Sequence, residues 1–324
     1  MKIRLGYVAI AINLKNVTSS STVTFANYNK LRGEEERIKK LKRVTFSNLD
    51  DLETILKYNI ENNIHFYRLT SKLIPLTTHP QVAWQYEKYF SKELNTIGTI
   101  IKKYNMRLDA HPDQFNVINS VKQKVVEDTI RNLNHAVDLF EIMDYEKGKL
   151  VVHTGSSVGG KEESIIRFIS QYKTLPSRIK ERLILENDDK IFTAKDVLGI
   201  CEQIKIPMVV DIHHHNCKND EENIGDLLPH IFSTWDKEIL PPKIHFSSPR
   251  EANKEGNLDR KHADYIDVNE FVSFLDLARE SVNRDFDVMI EAKKKNQALF
   301  QLMKDLSKIN YDCKFIDNST IEVL

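Results

Sequence analysis

Short β-rich apolar runs and longer stretches of helical periodicity take turns along this chain from end to end. That alternation constrains the fold more than any other feature. Eight apolar runs, at residues 3–9, 64–70, 106–110, 150–153, 182–186, 207–211, 243–246 and 286–291, read as strands. Between them, residues 49–62, 86–104, 121–143, 162–172, 194–203, 268–281 and 296–308 carry apolar side chains at the 3.6-residue period of amphipathic helices. Strand-then-helix repetition implies parallel strands joined by helical crossovers. Eight such units in 324 residues are what an α/β protein of the (β/α)8 TIM-barrel type requires. A doubly wound open sheet is the competing arrangement. No Pro/Gly/Ser-rich linker divides the chain, so residues 1–324 are expected to form a single domain. The barrel is expected to reach about residue 310, followed by a tail, 311–324, that alternates like a terminal hairpin.

Two connections are longer than a compact domain needs, residues 10–48 and 212–242, and long loops of that kind tend to carry function. The charge cluster from Arg32 to Arg43 reads as a solvated helix face. The 47 Lys+Arg balance 47 Asp+Glu, which argues against attachment to nucleic acid or membrane by bulk positive charge while leaving room for a local basic groove. No window approaches 18 uninterrupted apolar residues, so no membrane association is expected. The N-terminal apolar run is broken at Asn13 and Lys15 and reads as a strand rather than a signal peptide. Cys201, Cys217 and Cys313 are an odd number without close pairing, as suits a reducing compartment. The expectation is a cytoplasmic monomer.

In a parallel barrel the C-terminal strand ends converge on one mouth, so the decisive question is what each apolar run ends in. Six successive runs deliver His111, His153, Glu186, Asp211, His245 and Glu291, spaced 25 to 46 residues apart. One such residue is ordinarily a cap or a satisfied turn residue; six in succession are not explained that way. Crowded imidazoles and carboxylates at one mouth need something positive to hold them. Three His with three carboxylates form a borderline-to-hard donor set too large for one tetrahedral ion, which points to two or three ions of the Zn²⁺ or Mn²⁺ kind. Such clusters serve phosphoester hydrolysis, where one ion generates hydroxide near neutral pH and another stabilises the leaving oxygen. Asp211 and His214 are spaced to reach one ion from the turn after the strand. The adjoining His213 and His215 are expected to face solvent or supporting groups. Lys243 and His245, two apart on one strand, share a face. An amine beside that cluster should be neutral, paired with a carboxylate, or converted to a carbamate.

These residues resemble the UV damage endonucleases, relatives of the endonuclease IV-like apurinic endonucleases among metal-dependent TIM barrels. The resemblance rests on Arg4-Leu5-Gly6-Tyr7, Tyr67-Arg68-Leu69-Thr70-Ser71, Pro75-Leu76 with His79, His111-Pro112-Asp113-Gln114, Val152-His153-Thr154-Gly155 and Leu185-Glu186-Asn187-Asp188. It continues through Asp211, His213-His214, Lys243-Ile244-His245-Phe246-Ser247 and Met289-Ile290-Glu291-Ala292-Lys293, in family order over residues 1–295. It implies metal ligation by His111, His153, Glu186, Asp211, His214, His245 and Glu291, with His262 as a further ligand. Lys243, Glu186 and His245 form the catalytic set it implies, and the family's carboxylated lysine falls on Lys243. His79 lies in a matching stretch as a ligand or substrate contact. The family probes the duplex with a Gln followed by Tyr; here Gln114 is followed by Phe115, an aromatic wedge without the hydroxyl. Tyr7 matches a lesion-pocket residue, and Asn13 stands as the candidate for the pocket Asn.

The expected function is a metal-dependent endonuclease acting on double-stranded damaged DNA, cutting immediately 5′ to UV photoproducts and at abasic sites to leave a 3′-OH. The expected cofactors are two or three divalent ions, with Mn²⁺ first and Zn²⁺ or Mg²⁺ as alternatives. Arg68, Lys161, Arg250, Lys254, Arg260, Lys261 and Lys293 to Lys295 are the candidates for a phosphate-tracking groove. The main alternative is a sugar isomerase or epimerase on the same barrel, since His/Glu/Asp clusters also run enediolate chemistry. A non-catalytic binder of damaged DNA is the other, with no reason to keep a full ligand set.

Overall fold

The computed structural model describes residues 1–113, 115–251 and 259–324. Eight strands run parallel and close on themselves: β1 (Lys2–Val8), β2 (Phe66–Leu69), β3 (Arg107–Ala110), β4 (Lys149–His153), β5 (Leu183–Glu186), β6 (Met208–Asp211), β7 (Lys243–Phe246) and β8 (Phe286–Ile290). β1 pairs with β8 on one edge and β2 on the other, which closes the ring and rules out the open doubly wound sheet. Outside it lie α1 (Phe25–Asn29), α2 (Gly33–Glu61), α3 (Glu87–Lys103), α4 (Gln123–Ile142), α5 (Lys161–Thr174) and α6 (Ser177–Lys180). The second half adds α7 (Ala194–Ile204), α8 (Ile212–Cys217), α9 (Ile224–Ser233), α10 (Val268–Ser281) and α11 (Lys295–Lys308). The chain is a single-domain TIM barrel.

Three features depart from the sequence reading. α2 begins at Gly33 rather than at residue 49. Glu34, Glu35 and Glu36 in its first turn oppose the positive end of the helix dipole, and Leu41, Thr45 and Asn48 are buried at helical spacing. The charge cluster is thus one flank of a helix whose other flank is packed, and most of the connection 10–48 is helical. Residues 212–242 likewise hold α8 and α9. The tail, finally, is barrel wall. It folds as the expected hairpin, β9 (Cys313–Phe315) and β10 (Thr320–Val323), and β10 pairs antiparallel with Lys2–Arg4 of β1. β2 reaches only Gly6–Val8 on that edge, so β10 fills the remainder, and Ile321 and Val323 are buried there.

Alternate residues of each strand point into the barrel. Beneath His153, Glu186 and Asp211 lie Val151, Ile184 and Val209, which form their own apolar cluster with Trp235 and Leu240. The outward Leu150, Val152, Leu183, Leu185, Met208 and Val210 join the main core against the helices. The opposite side of the interior is ionic. Arg4 grips Asp287 through two nitrogens at 2.6 and 2.7 Å, and Arg107 donates to the same carboxylate at 2.8 Å. Arg107 also stands 3.5 Å from Asp109, which accepts a hydrogen bond from Lys243 Nζ at 2.6 Å. Arg107, Asp109, Lys243 and Asp287 are all buried, and alternating signs are what make such burial tolerable. Lys243 and Arg107 hold the Asp109 carboxyl below the usual carboxylate range against the opposing effect of burial.

Two substitutions probe the stability of this architecture. Ile321→Ala should cost about 2–5 kcal/mol in urea unfolding, because it opens a cavity behind β1. Asp109→Ala should cost about 3–5 kcal/mol, because it strands Lys243 and Arg107. Since the folded-state pKa of Asp109 is depressed, its contribution is fully present at neutral pH. Wild type and variant should converge only as the pH falls through that depressed value.

Candidate active site

The six predicted strand-end residues meet in one layer at the mouth. His153, Glu186 and Asp211 are the last residues of β4, β5 and β6; His111 and Glu291 follow β3 and β8 directly, and His245 lies within β7. Strand pairing sets His153 beside Glu186 and Asp211 beside His245. Among the described residues, two groups have ligand atoms close enough to hold an ion: His111, His153 and Glu186, and Glu186, Asp211, His245 and Glu291. Glu186 belongs to both. One of its oxygens is 3.0 Å from His111 Nε2 and 3.6 Å from His153 Nε2; the other is 2.7 Å from His245 Nδ1.

The electrostatics follow from burial against pairing. Burial alone would raise the Glu186 pKa, but His245, His153 and His111 outweigh it and hold the carboxyl well below its ordinary range. Glu291 is held down in the same way, chiefly by Arg68 and then His245. His153 and His245 are lowered by burial. His214 goes the other way: against burial, Asp211, Glu186 and Glu291 push it up to about 9. Both carboxylates therefore stay ionised and available to a cation.

The hydrogen-bonding pattern fits metal ions. The Nδ1 atoms of His111, His214 and His262 face the carbonyls of Pro112, Asn187 and Glu291 at 3.1, 3.0 and 2.7 Å. A carbonyl only accepts, so each Nδ1 carries a proton and each Nε2 is the atom that would face an ion once free of any second proton, the arrangement typical of metal-binding histidines. Asp211 Oδ2 is buried with no hydrogen-bond partner, an unsatisfied anionic oxygen beside the second group. Its Oδ1 caps α8 by accepting from His214 N at 2.8 Å. His214 and His262 stand next to the second group without joining it; their rings are 6.2 Å apart.

Other predicted residues lie in various places. Lys243 shares the inward face with His245, but its amine meets Asp109 one layer below the ligands, so of the three states expected for it the structure has the ion pair. His213 and His215 do not face solvent. Both are buried in α8, and His213 packs edge-on against His262 at 5.3 Å. Tyr7 is fully buried in β1 and gives its hydroxyl to Asn59. Asn13 is exposed and bonds Tyr58 and Gln297. His79 stacks on Phe25 at 4.0 Å, away from the cluster. Phe115, 77% exposed, projects from the loop after β3. Gln114 and Lys254 lie outside the described residues. Arg68 is buried within the mouth. Several of the rim cations are paired: Lys161 with Asp196 and Asp220, Arg250 with Asp259, Arg260 with Asp189.

The sequence reading missed Asn187, whose side chain clamps the Asp211 backbone by donating to its carbonyl at 3.0 Å and accepting from its N–H at 2.8 Å. It also missed Asp109 and Asp287. The signal was there: residues two before His111 and four before Glu291 must face inward with them.

A family model described as UV-endonuclease UvdE matches residues 3–322. The UV DNA damage endonuclease of Bacillus pumilus (strain SAFR-032) is 40% identical over 324 residues, 99% of each chain. That of Bacillus cereus (strain Q1) is 39% identical over 323 residues, 99% of this chain and 100% of the other. The crystal structure of SacUVDE matches at 35% identity with a TM-score of 0.83, over 95% of this chain and 99% of that one. Endonuclease IV from Thermus thermophilus, at 12% identity and a TM-score of 0.55 over 94% of this chain and 99% of that one, is a likeness of fold alone. With a matching barrel, a matching family model over nearly its whole length and relatives near 40% identity, the chain belongs to the UV-endonuclease UvdE family.

Proposed function

We propose that this endonuclease incises double-stranded DNA at UV damage. It would hydrolyse the phosphodiester immediately 5′ to cyclobutane pyrimidine dimers and 6-4 photoproducts, and also act at abasic sites, leaving a 3′-OH. The observation that carries the reading is the pair of ligand groups joined through Glu186 at the barrel mouth. The names of its relatives support the substrate. Two or three divalent ions would be held, by His111, His153 and Glu186 and by Glu186, Asp211, His245 and Glu291, with His214 and His262 completing the second group or holding a third ion. The carboxylates of the second group favour Mn²⁺ over Zn²⁺, and its imidazole favours Mn²⁺ over the oxygen-seeking Mg²⁺. Such ions, when bound, activate water near neutral pH and stabilise charge on phosphoryl and leaving oxygens.

The chain's own residues supply the rest. Glu186 fixes the spacing of the two groups, and the backbone carbonyls hold the His111, His214 and His262 rings in a ligating tautomer. Lys243 is pushed down to about 8 by burial, with Arg107 and Arg68 adding to the effect, so its neutral form is accessible near neutral pH and would take a proton from the attacking water only after leaving its pair with Asp109. Its neutral form is also the one that adds carbon dioxide to form the carbamate. Phe115 would wedge into the duplex beside the lesion with Gln114, where a crosslinked dimer is already poorly stacked and costs less to extrude than intact bases. A sugar epimerase would have no use for so exposed an aromatic side chain at the rim.

A UV-irradiated supercoiled plasmid should be nicked with Mn²⁺ and not after chelation, while unirradiated plasmid stays closed. Glu186→Ala and His111→Ala should each lower the rate by more than about 100-fold. No nicking by folded, Mn²⁺-loaded protein would overturn the reading. Phe115→Ala should weaken binding to a lesion-containing duplex about tenfold to a hundredfold, from a stacking contribution of about 1–3 kcal/mol, measured by fluorescence anisotropy. Because His214 is raised to about 9, ligation through it must expel a proton at neutral pH. Mn²⁺ affinity should therefore rise with pH up to about 9, and calorimetry in buffers of different ionisation enthalpy should detect the released proton.

A further inference from the structure

Among the described cations of the expected phosphate groove, Arg68, on β2, is the one that stands inside a ligand group. One terminal nitrogen donates to Glu291 Oε1 and, at 2.9 Å, to His245 Nε2. Its Nε is buried without a partner. The same terminal nitrogen is 3.5 Å from Nδ1 of that imidazole, so it lies over the ring, and Nδ1 is itself 2.7 Å from Glu186 Oε1 and 3.1 Å from Glu291 Oε1. These contacts fix the ring's hydrogen. A carboxylate only accepts, so the N–H is on Nδ1 and the lone pair is on Nε2. An ion held between Glu186 and Glu291 needs that lone pair at Nδ1. The N–H then moves to Nε2, which can no longer accept from Arg68. The Arg68 nitrogen, 3.5 Å from Nδ1 and bonded to Glu291 Oε1, stands where that ion would sit, so the two compete for the same place. The guanidinium further repels a divalent charge only a few ångströms away.

We propose that Arg68 makes the two groups unequal. The His111, His153 and Glu186 group takes the first ion. The Glu186, Asp211, His245 and Glu291 group takes its ion when the guanidinium moves off. The released side chain is a planar fork of donors suited to a phosphate, and it is freed at the mouth where the DNA backbone would lie. Duplex binding and loading of the second ion therefore favour each other, by the same factor in both directions. Arg68 is in this sense a positioning residue. The inference rests on the metal reading above and concerns loading rather than cleavage.

The test titrates the full-length, chelator-stripped protein with Mn²⁺ and follows the free ion by electron paramagnetic resonance. Wild type should show two classes of site, the second weaker by about tenfold or more. Arg68→Gln should bring the second class to within about threefold of the first, and His111→Ala should remove the tighter class. A short undamaged duplex should tighten the second class in wild type and leave Arg68→Gln unchanged. Stripped Arg68→Gln should also melt below wild type, because Glu291 loses its partner, and Mn²⁺ should raise its Tm more than it raises that of wild type. Equal classes in wild type, or an Arg68→Gln titration matching wild type, would overturn the proposal. So would a smaller Tm rise in the variant. Loss of nicking with these titrations as expected would instead count against the endonuclease reading.

Discussion

One carboxylate organises the mouth of this barrel. Glu186 is buried at the end of β5, with His111 and His153 around one oxygen and His245 at the other. A lone buried carboxylate would take up a proton; this one stays ionised because three imidazoles share its charge. Since it belongs to both ligand groups, their separation is set by the width of a single carboxylate and not by the packing of distant loops. β4, β5 and β7 must therefore end at one height, and the strand register delivers that by setting His153 against Glu186 and Asp211 against His245.

The ligand layer stands partly on a second layer of charge. Arg4, Asp287, Arg107, Asp109 and Lys243 alternate in sign across the lower barrel. Arg68 carries the series upward to Glu291. An apolar interior would pack as well, and replacing buried ion pairs with hydrophobic residues is often neutral or stabilising. Here the pairs pin side chains on β1, β2, β3, β7 and β8, the strands not braced by the Val151, Ile184, Val209 and Trp235 cluster. The ionic side and the apolar side together leave the mouth residues little freedom, which is what a site built from six strands requires.

The eight barrel strands and the six strand-end residues that meet at the mouth were legible in the sequence because both depend on strong local signals, apolar runs and the residue at which each run ends. What stayed hidden depended on partners far away in sequence. Asp109 looks like an ordinary polar residue within a strand until Lys243, 134 positions later, is placed against it. Asn187 gains its role only when β6 arrives beside β5. The start of α2 was obscured because Arg37 to Arg43 is rich in charge, although Leu41 and Thr45 continue the buried stripe. The tail's place in the wall followed from the shortness of β2, a property of another strand. Of the two surroundings expected for His213 and His215, the supporting protein groups hold and solvent does not, because Asp211 starts a helix at once, which turns both inward.

The exact balance of 47 cations and 47 anions has a counterpart at the rim. Lys161, Arg250 and Arg260 are already engaged with Asp196, Asp220, Asp259 and Asp189, and paired charges exert little pull on a phosphate chain. Attraction to DNA then depends on charge that is not already matched, and among the described residues the mouth is one place where it gathers. There the carboxylates are ionised and, on the proposed reading, bound ions would overturn the local sign. Affinity for the backbone and occupancy by ions would thus be one property and not two. A neutral chain could then meet a polyanion at the centre that cuts it, and Arg68, the cation proposed to move between a carboxylate and a phosphate, lies where the two would meet.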